Sequence, residues 1–193
     1  DVYLYNGWSA FRLNKYDEAI DVLESGLIYL LDEDRTNKEW KFNTYISDVY
    51  FAKSEYTDAL KYMKSAYLSK PNNYLVNKKY AQLLISVNSE LDIAASIIEL
   101  LIKETADDCE IINLNGFLLF QQKKYKEALN IFLNNADKQN CKAKTLEYIG
   151  DTQFMLENPK KAIESWNNSK KIGNQNKLLE RKINDRKFIP IVP

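Results

Sequence analysis

Apolar residues recur along the chain at the three- and four-residue spacing of an amphipathic helix. Leu60, Met63 and Tyr67 show the pattern in one segment, and similar segments follow one another almost throughout. Only five glycines and four prolines interrupt the 193 residues, whereas an all-β protein would need many more turn residues. The pattern predicts an all-α protein of several helices, each of about 12–15 residues, joined by short loops.

Two short motifs are nearly the same. "NGWSAFRLNKYDEAI" at 6–20 and "NGFLLFQQKKYKEAL" at 115–129 both place a glycine about twelve residues before an alanine. Successive alanines of this kind are 40, 35, 34 and 34 residues apart. The spacing predicts five units of two antiparallel helices, because a small side chain on each helix lets the backbones approach. The five small–small pairs are Gly7/Ala19, Ser47/Ala59, Ala81/Ala94, Gly116/Ala128 and Gly150/Ala162.

Larger side chains complete each predicted unit. An aromatic residue before the second helix is expected to plug the turn, as at Tyr16, Tyr56 and Tyr125. Large residues later in that helix are expected to fill the gap to the next pair. These are Leu23, Met63, Ile98, Phe132 and Trp166. Gly26 is interpreted as a further small contact and Gly173 as a helix C-cap.

The period and these positions resemble the tetratricopeptide repeat over essentially the whole chain. The resemblance implies one domain over 1–193, a right-handed α-solenoid of about five helix-turn-helix repeats with a C-terminal capping helix. The expected repeats are 1–34, 40–73, 74–108, 109–142 and 143–176, with the cap and tail over 175–193. An insertion at "DEDRTN" separates the first two repeats. Segments such as "NNYLVNKKYAQLL" resemble bacterial, often envelope-associated, members of the family.

The last repeat of a stacked array needs a polar-faced cap, because its outer apolar stripe has no neighbour. A helix over about 175–187 is predicted to supply it, with Leu178, Leu179 and Ile183 inward. Lys177, Glu180, Arg181 and Lys182 are predicted to face outward. The tail "FIPIVP" is too rich in proline for a helix, so it is expected to lie along a neighbouring surface. The beginning of the chain has no equivalent cap, and further repeats are expected upstream.

The resemblance also implies that the first helix of each repeat lines a concave groove that binds a partner peptide or helix. Phe11, Phe51, Phe120 and Phe154 recur at one position, so packing between repeats is their alternative role. Helix phase selects the groove-facing residues Tyr5, Trp8, Phe11, Arg12, Lys41, Tyr45, Asp48, Phe51, Lys78, Lys79, Gln82, Ile85, Asn113, Phe117, Phe120, Glu147, Tyr148, Asp151 and Phe154. The carboxylate clamp of co-chaperone members is absent, because Leu4, Trp8 and Tyr45 stand at its positions.

The composition excludes several kinds of catalytic and metal-binding site. The chain has no histidine, which removes the commonest general base and the usual zinc ligand. Cys109 and Cys141 are too few for a Cys-only zinc site or a framework of several disulfides. One disulfide between them stays open, and two reduced thiols are the default expectation. No metal and no cofactor are expected.

Three other function classes fit the sequence less well than a scaffold. An enzyme would need a carboxylate pair or a lysine nucleophile. The candidate carboxylates fall in predicted loops as solvated acids, and they are Asp32, Glu33, Asp34, Asp107, Asp108 and Glu110. A nucleic-acid partner is not expected, because 27 basic residues balance 27 acidic ones. Membrane insertion is not expected, because no apolar run reaches the about 18–20 residues of a span.

The sequence therefore predicts a non-enzymatic scaffold that binds a protein partner in its groove, within a longer protein or assembly. A structural spacer in a multi-protein envelope complex is the alternative, and an RNA-binding helical repeat is a weaker one. The family resemblance favours the bacterial envelope or periplasm as the compartment, with the cytoplasm left open.

Overall fold

The computed structural model describes residues 2–105 and 107–190, except for the side chains of Asp32, Glu33 and Thr36. These residues form eleven α-helices and no strand, which confirms the predicted all-α class. The helices are α1 Val2–Arg12, α2 Tyr16–Ile28, α3 Asp32–Ala52, α4 Tyr56–Ser69, α5 Tyr74–Ser86, α6 Leu91–Glu104, α7 Cys109–Gln121, α8 Tyr125–Asn135, α9 Lys142–Met155, α10 Pro159–Lys171 and α11 Lys177–Asp185.

Small residues let the two helices of a pair approach, as the repeat predicted. A Cβ atom built on Gly150 would lie 2.3 Å from Cδ1 of Trp166 on α10, so only glycine fits there. Gly7 stands in the same relation to Leu23 of α2, whose Cγ would lie 2.4 Å away. In the second pair Ser47 instead donates a hydrogen bond of 2.7 Å to the carbonyl of Ala59.

An aromatic contact recurs at the turn between the two helices of a pair. The ring centroids of Phe11 and Tyr16 are 5.9 Å apart. Phe51 and Tyr56 are 5.6 Å apart, and Phe120 and Tyr125 are 5.3 Å apart. The predicted turn plug is therefore present at all three tyrosines, and the recurring phenylalanine is the residue on which each tyrosine packs.

The first turns of α3 correct one prediction. The segment "DEDRTN" was placed in an insertion loop, but α3 begins at Asp32 and runs for 21 residues. Charged residues at helical spacing support the extension, since Lys38 Nζ lies 2.9 Å from Oδ2 of Asp34 one turn earlier. A run of charges is compatible with either a loop or a solvated helix, so the sequence pattern did not separate them.

The chain forms two compact units, Asp1–Leu83 and Leu84–Pro193, with the boundary inside α5. In unit 1, Leu23 shares a buried apolar cluster with Phe42 and Ile46 of α3, so it also fills the gap to the next pair as predicted. The expected single domain over 1–193 stays a prediction.

Unit 2 ends in the predicted cap. Helix α11 packs on α10, and its Leu179 is buried against Ala162 and Trp166. Gly173 adopts the left-handed conformation, with φ +106°, just after α10 ends. Residues 191–193 of the predicted tail lie outside the described residues.

Cys109 and Cys141 are joined by a disulfide, with their Cα atoms 6.1 Å apart. The default expectation of two reduced thiols was wrong. Cys109 begins α7 and Cys141 immediately precedes α9, the first helices of adjacent pairs. The bond therefore joins two adjacent repeats near the starts of their first helices.

None of the described helices combines the length and apolar composition that crossing a bilayer requires.

Candidate functional site

Unit 1 carries an aromatic face formed by α1 and α3. The indole of Trp8 lies 5.1 Å from the ring of Phe11 and 5.3 Å from that of Tyr45, centroid to centroid. All three side chains are half-buried. Tyr5, one turn before Trp8, is 75% exposed. This group of Tyr5, Trp8, Phe11 and Tyr45 is called the unit 1 face below, and it presents apolar ring surface with polar tips to solvent.

Two cations border the unit 1 face. Arg12 ends α1 and is exposed. Lys41 on α3 is also exposed, and its Nζ lies 5.6 Å from the ring centroid of Trp40. Arg12 follows Phe11 directly and Lys41 lies one helical turn before Tyr45, so the border of the face carries two positive charges that an acidic group on a bound segment would meet.

Three other predicted positions of unit 1, Asp48, Lys78 and Lys79, contact side chains of the same unit. Asp48 forms an ion pair with Lys79 of α5, and both side chains are half-buried. Burial raises the pKa of Asp48 above its ordinary value, while Lys79 opposes the shift. Lys78 Nζ lies 5.5 Å from the ring centroid of Tyr74. Gln82 is exposed.

In unit 2, Asn113 is buried and structural. Its Nδ2 donates to Oγ1 of Thr145 at 2.9 Å, which ties α7 to α9. Asn135 of α8 donates 2.9 Å hydrogen bonds to Oδ1 of Asn113 and to the carbonyl of Cys109. The network therefore links three helices beside the disulfide.

Ile85, another residue predicted to face the groove, is fully buried.

Phe117 and Phe120 on α7 lie inside an aromatic cluster, each only 7% exposed. Phe117 stacks on Tyr148 of α9 with centroids 5.3 Å apart. Phe120 contacts Phe188 of the C-terminal tail at 5.6 Å. Phe154 is half-buried with its ring 5.9 Å from that of Trp166. Phe117 was predicted to line the groove, and here the chain itself covers most of its ring.

Glu147 and Asp151 of α9 surround a buried lysine from the cap. Lys182 is 1% exposed, and its Nζ lies 2.9 Å from Oε1 of Glu147 and 2.7 Å from Oδ2 of Asp151. Lys182 was predicted to face outward, and that prediction was wrong. Its place three residues after Leu179 on a helix carries the signal, because that spacing puts both on one face.

Burial and the neighbouring cations shift the pKa values of both carboxyl groups in this cluster of Lys182, Glu147 and Asp151. Burial raises the pKa of Asp151 to about 6, although Lys182 and a 2.9 Å hydrogen bond from Trp166 Nε1 oppose the shift. Burial also acts to raise the pKa of Glu147, but Lys144 and Lys182 outweigh it and hold the pKa at about 2. Side-chain amides of Asn174 and Asn176 donate to Glu147 as well.

Two of the acids considered for catalysis lie at the start of α7. Asp108 caps α7, since its Oδ1 accepts from the backbone N–H of Glu110 at 2.8 Å. Glu110 lies in α7, not in a loop as predicted. The side chains of Asp32 and Glu33 lie outside the described residues. Among the residues that the structure describes, no group of three or more His, Cys, Asp or Glu side chains is placed to hold a metal ion.

The described helices match solved helical-repeat proteins closely. TTC0263, a thermophilic TPR protein from Thermus thermophilus, superimposes with a TM-score of 0.73 at 10% identity, covering 95% of this chain and 96% of that chain. A tetratricopeptide repeat protein from Parabacteroides merdae gives 0.69 at 12% identity, covering 95% and 82%. The chain has the tetratricopeptide-repeat fold. The Cut9–Hcn1 hetero-tetramer of the APC/C gives 0.69 at 14% identity, covering 95% and 35%.

No protein-family model and no curated protein sequence matches the chain. At identities of 10–14% the tetratricopeptide-repeat likeness is one of fold.

Proposed function

We propose that the chain is a non-enzymatic scaffold that binds a segment of a protein partner on the unit 1 face. The supporting observation is the side-by-side placement of Trp8, Phe11 and Tyr45, with Tyr5 projecting beside them. Aromatic residues that are rigidly packed yet open on one side concentrate binding energy at interfaces. The TPR fold supports the same function, and one similar structure is a hetero-tetramer with a second protein.

The border of the unit 1 face suggests what the partner segment contains. Arg12 and Lys41 are exposed next to the aromatic rings, whereas the nearby acid Asp48 is paired with Lys79. A segment with an apolar side chain for the rings and an acidic group for the border fits this arrangement. The predicted absence of nucleic-acid binding and of membrane insertion is kept as part of the proposal.

The disulfide supports placement in an oxidising compartment. Disulfides persist in secreted and periplasmic proteins and are rare in the reducing cytosol. The Cys109–Cys141 bond therefore favours the envelope or periplasmic placement that the family resemblance suggested.

Selection from a random peptide library displayed on phage, followed by fluorescence anisotropy with the synthetic peptide, tests the function. Tyr5→Ala removes an exposed ring, so it leaves the fold intact and is expected to weaken binding about tenfold, the loss of about 1.4 kcal/mol. Tyr29→Ala is the matched control, because Tyr29 is 70% exposed and stacks on Tyr3 outside the unit 1 face. Failure to select any peptide, or equal binding by both variants, would contradict the proposal.

A further inference from the structure

The C-terminal segment of unit 2 lies against the first helices of the last two pairs. Helix α11 ends at Asp185, and Arg186 follows in the left-handed conformation with φ 52°. This turn directs residues 187–190 back over the unit. Phe188 then packs on Phe120 of α7, while Lys182 Nζ lies 5.6 Å from the Phe188 ring centroid.

A cavity of about 320 Å³ remains between this segment and the helices. Phe117, Phe120 and Met155 form its apolar wall, and Phe188 and Pro190 of the tail close one side. Asn88 and Gln121 add polar groups at its edge. The tail therefore packs on Phe120 and lines the cavity together with Phe117, two residues that were predicted to bind a partner, and it leaves this site partly filled.

The seated segment shows which ligand chemistry the site accepts. The ring of Phe188 packs on the ring of Phe120. Pro190 restricts the backbone of the residue before it to an extended conformation. Phe188 and Ile189 are half-buried on the unit while Lys187 and Pro190 stay exposed. A partner segment that is extended and carries an aromatic residue followed two positions later by a proline can make the same contacts as residues 187–190.

We propose that residues 187–190 are an internal ligand of unit 2, and that the site binds an extended partner segment of aromatic-x-proline type by displacing them. The proposal rests on the peptide-binding function proposed above and adds a second, self-occupied site to it. The tethered tail competes at an effective concentration on the order of 1 mM. For a free peptide with a Kd of about 100 μM, this competition weakens apparent binding about tenfold.

The probe for the test is a fluorescein-labelled peptide with the sequence of residues 186–193, RKFIPIVP. Three proteins are compared by anisotropy: the full chain, the full chain with Phe188→Ala, and a chain ending at Arg186. The shortened chain keeps α11 and the buried Lys182, so it retains the cap, and thermal melting checks this. We expect saturable binding by the shortened chain, about tenfold weaker binding by the full chain, and recovery of binding in Phe188→Ala.

Two controls locate the interaction. A peptide with serine in place of its phenylalanine is expected not to bind. A peptide with photoreactive benzoylphenylalanine at the same place is expected to cross-link to α7 or α9, and cross-links confined to unit 1 or to a second copy's tail would overturn the proposal. Equal binding by the full and shortened chains, or no binding by either, would also overturn it. If the Tyr5-dependent peptide still binds in that case, the proposed function stands and the internal ligand alone is rejected.

Discussion

The Nζ atom of Lys182 lies 2.7 Å from Oδ2 of Asp151, and the lysine side chain is almost fully buried. The pair joins the capping helix α11 to α9, while Glu147 accepts a second bond from the same ammonium group. The cap is therefore held to the last repeat by charge as well as by the apolar contact of Leu179 with Trp166.

Replacing the buried lysine is expected to cost more than replacing an exposed one on the same helix. Lys182→Met leaves two carboxylates one turn apart without their shared cation, and breaking a buried pair costs about 3–5 kcal/mol. Urea unfolding monitored by circular dichroism measures the loss. Lys177→Met is the matched control, since Lys177 is exposed and a surface change is worth about 0.5 kcal/mol or less. Equal effects of the two variants would show that the cluster adds no stability.

The two carboxyl groups that contact Lys182 are expected to titrate at widely different pH values. The Asp151 pKa is about 6 in the folded chain against an ordinary 3.8. The folded state thus retains a proton that the unfolded state has lost, and the Asp151 contribution to stability falls as pH rises from about 4 through 6. The Glu147 pKa is about 2, so its contribution is present above the ordinary 4.5 and is lost as pH falls toward 2.

Carbon-detected NMR of the carboxyl groups measures both midpoints directly. A titration near pH 6 should disappear in Asp151→Asn and remain in Asp107→Asn, because Asp107 is fully exposed. A single midpoint near 4 for all aspartates would contradict the shifts.

Breaking the disulfide is expected to lower the free energy of unfolding. A bridge across 32 residues restricts the unfolded chain, and loss of a native disulfide typically costs about 2–5 kcal/mol. Urea unfolding of Cys109→Ser/Cys141→Ser against the oxidised wild type measures the difference. Reductant should lower the stability of the wild type and leave the double variant unchanged. A reductant effect of the same size on both proteins would show that the bond is not its cause.

Adding one methyl group at Gly150 tests the packing of a helix pair. Its Cβ would lie 2.3 Å from Trp166 Cδ1 and 3.0 Å from the carbonyl oxygen of Ala162, so Gly150→Ala should destabilise unit 2 by about 1–3 kcal/mol. Trp166→Leu in the same chain makes room, so the double variant should lose less than the sum of the single changes. Simple additivity in urea unfolding would contradict the close contact.

The helix pairs were predictable because their determinants are local and repeated. Gly150 and Ala162 lie twelve residues apart, and a spacing of twelve or thirteen residues found five times outweighs any single ambiguous segment. The start of α3 was misjudged because exposed charges such as Asp34 and Lys38 suit both a loop and a solvated helix turn.

The missed contacts join residues distant in sequence. Lys182 meets Glu147 across 35 residues, and lysine is by default exposed, so only the phase of α11 hinted at its burial. Phe188 meets Phe120 across an irregular segment that has no period to extrapolate. The sequence could not decide whether the two cysteines are bonded, because a disulfide depends on the distance between them, which their spacing in sequence does not give.

Hydrogen–deuterium exchange with and without the selected peptide tests the central claim most directly. At a peptide concentration near the wild-type Kd, the account predicts slower exchange in residues 2–12 and 40–52, which carry the unit 1 face, and much less slowing in the Tyr5→Ala variant. Protection confined to the second helices α2 and α4, or equal protection of the wild type and Tyr5→Ala at that concentration, would contradict the assignment of that face as the partner-binding surface.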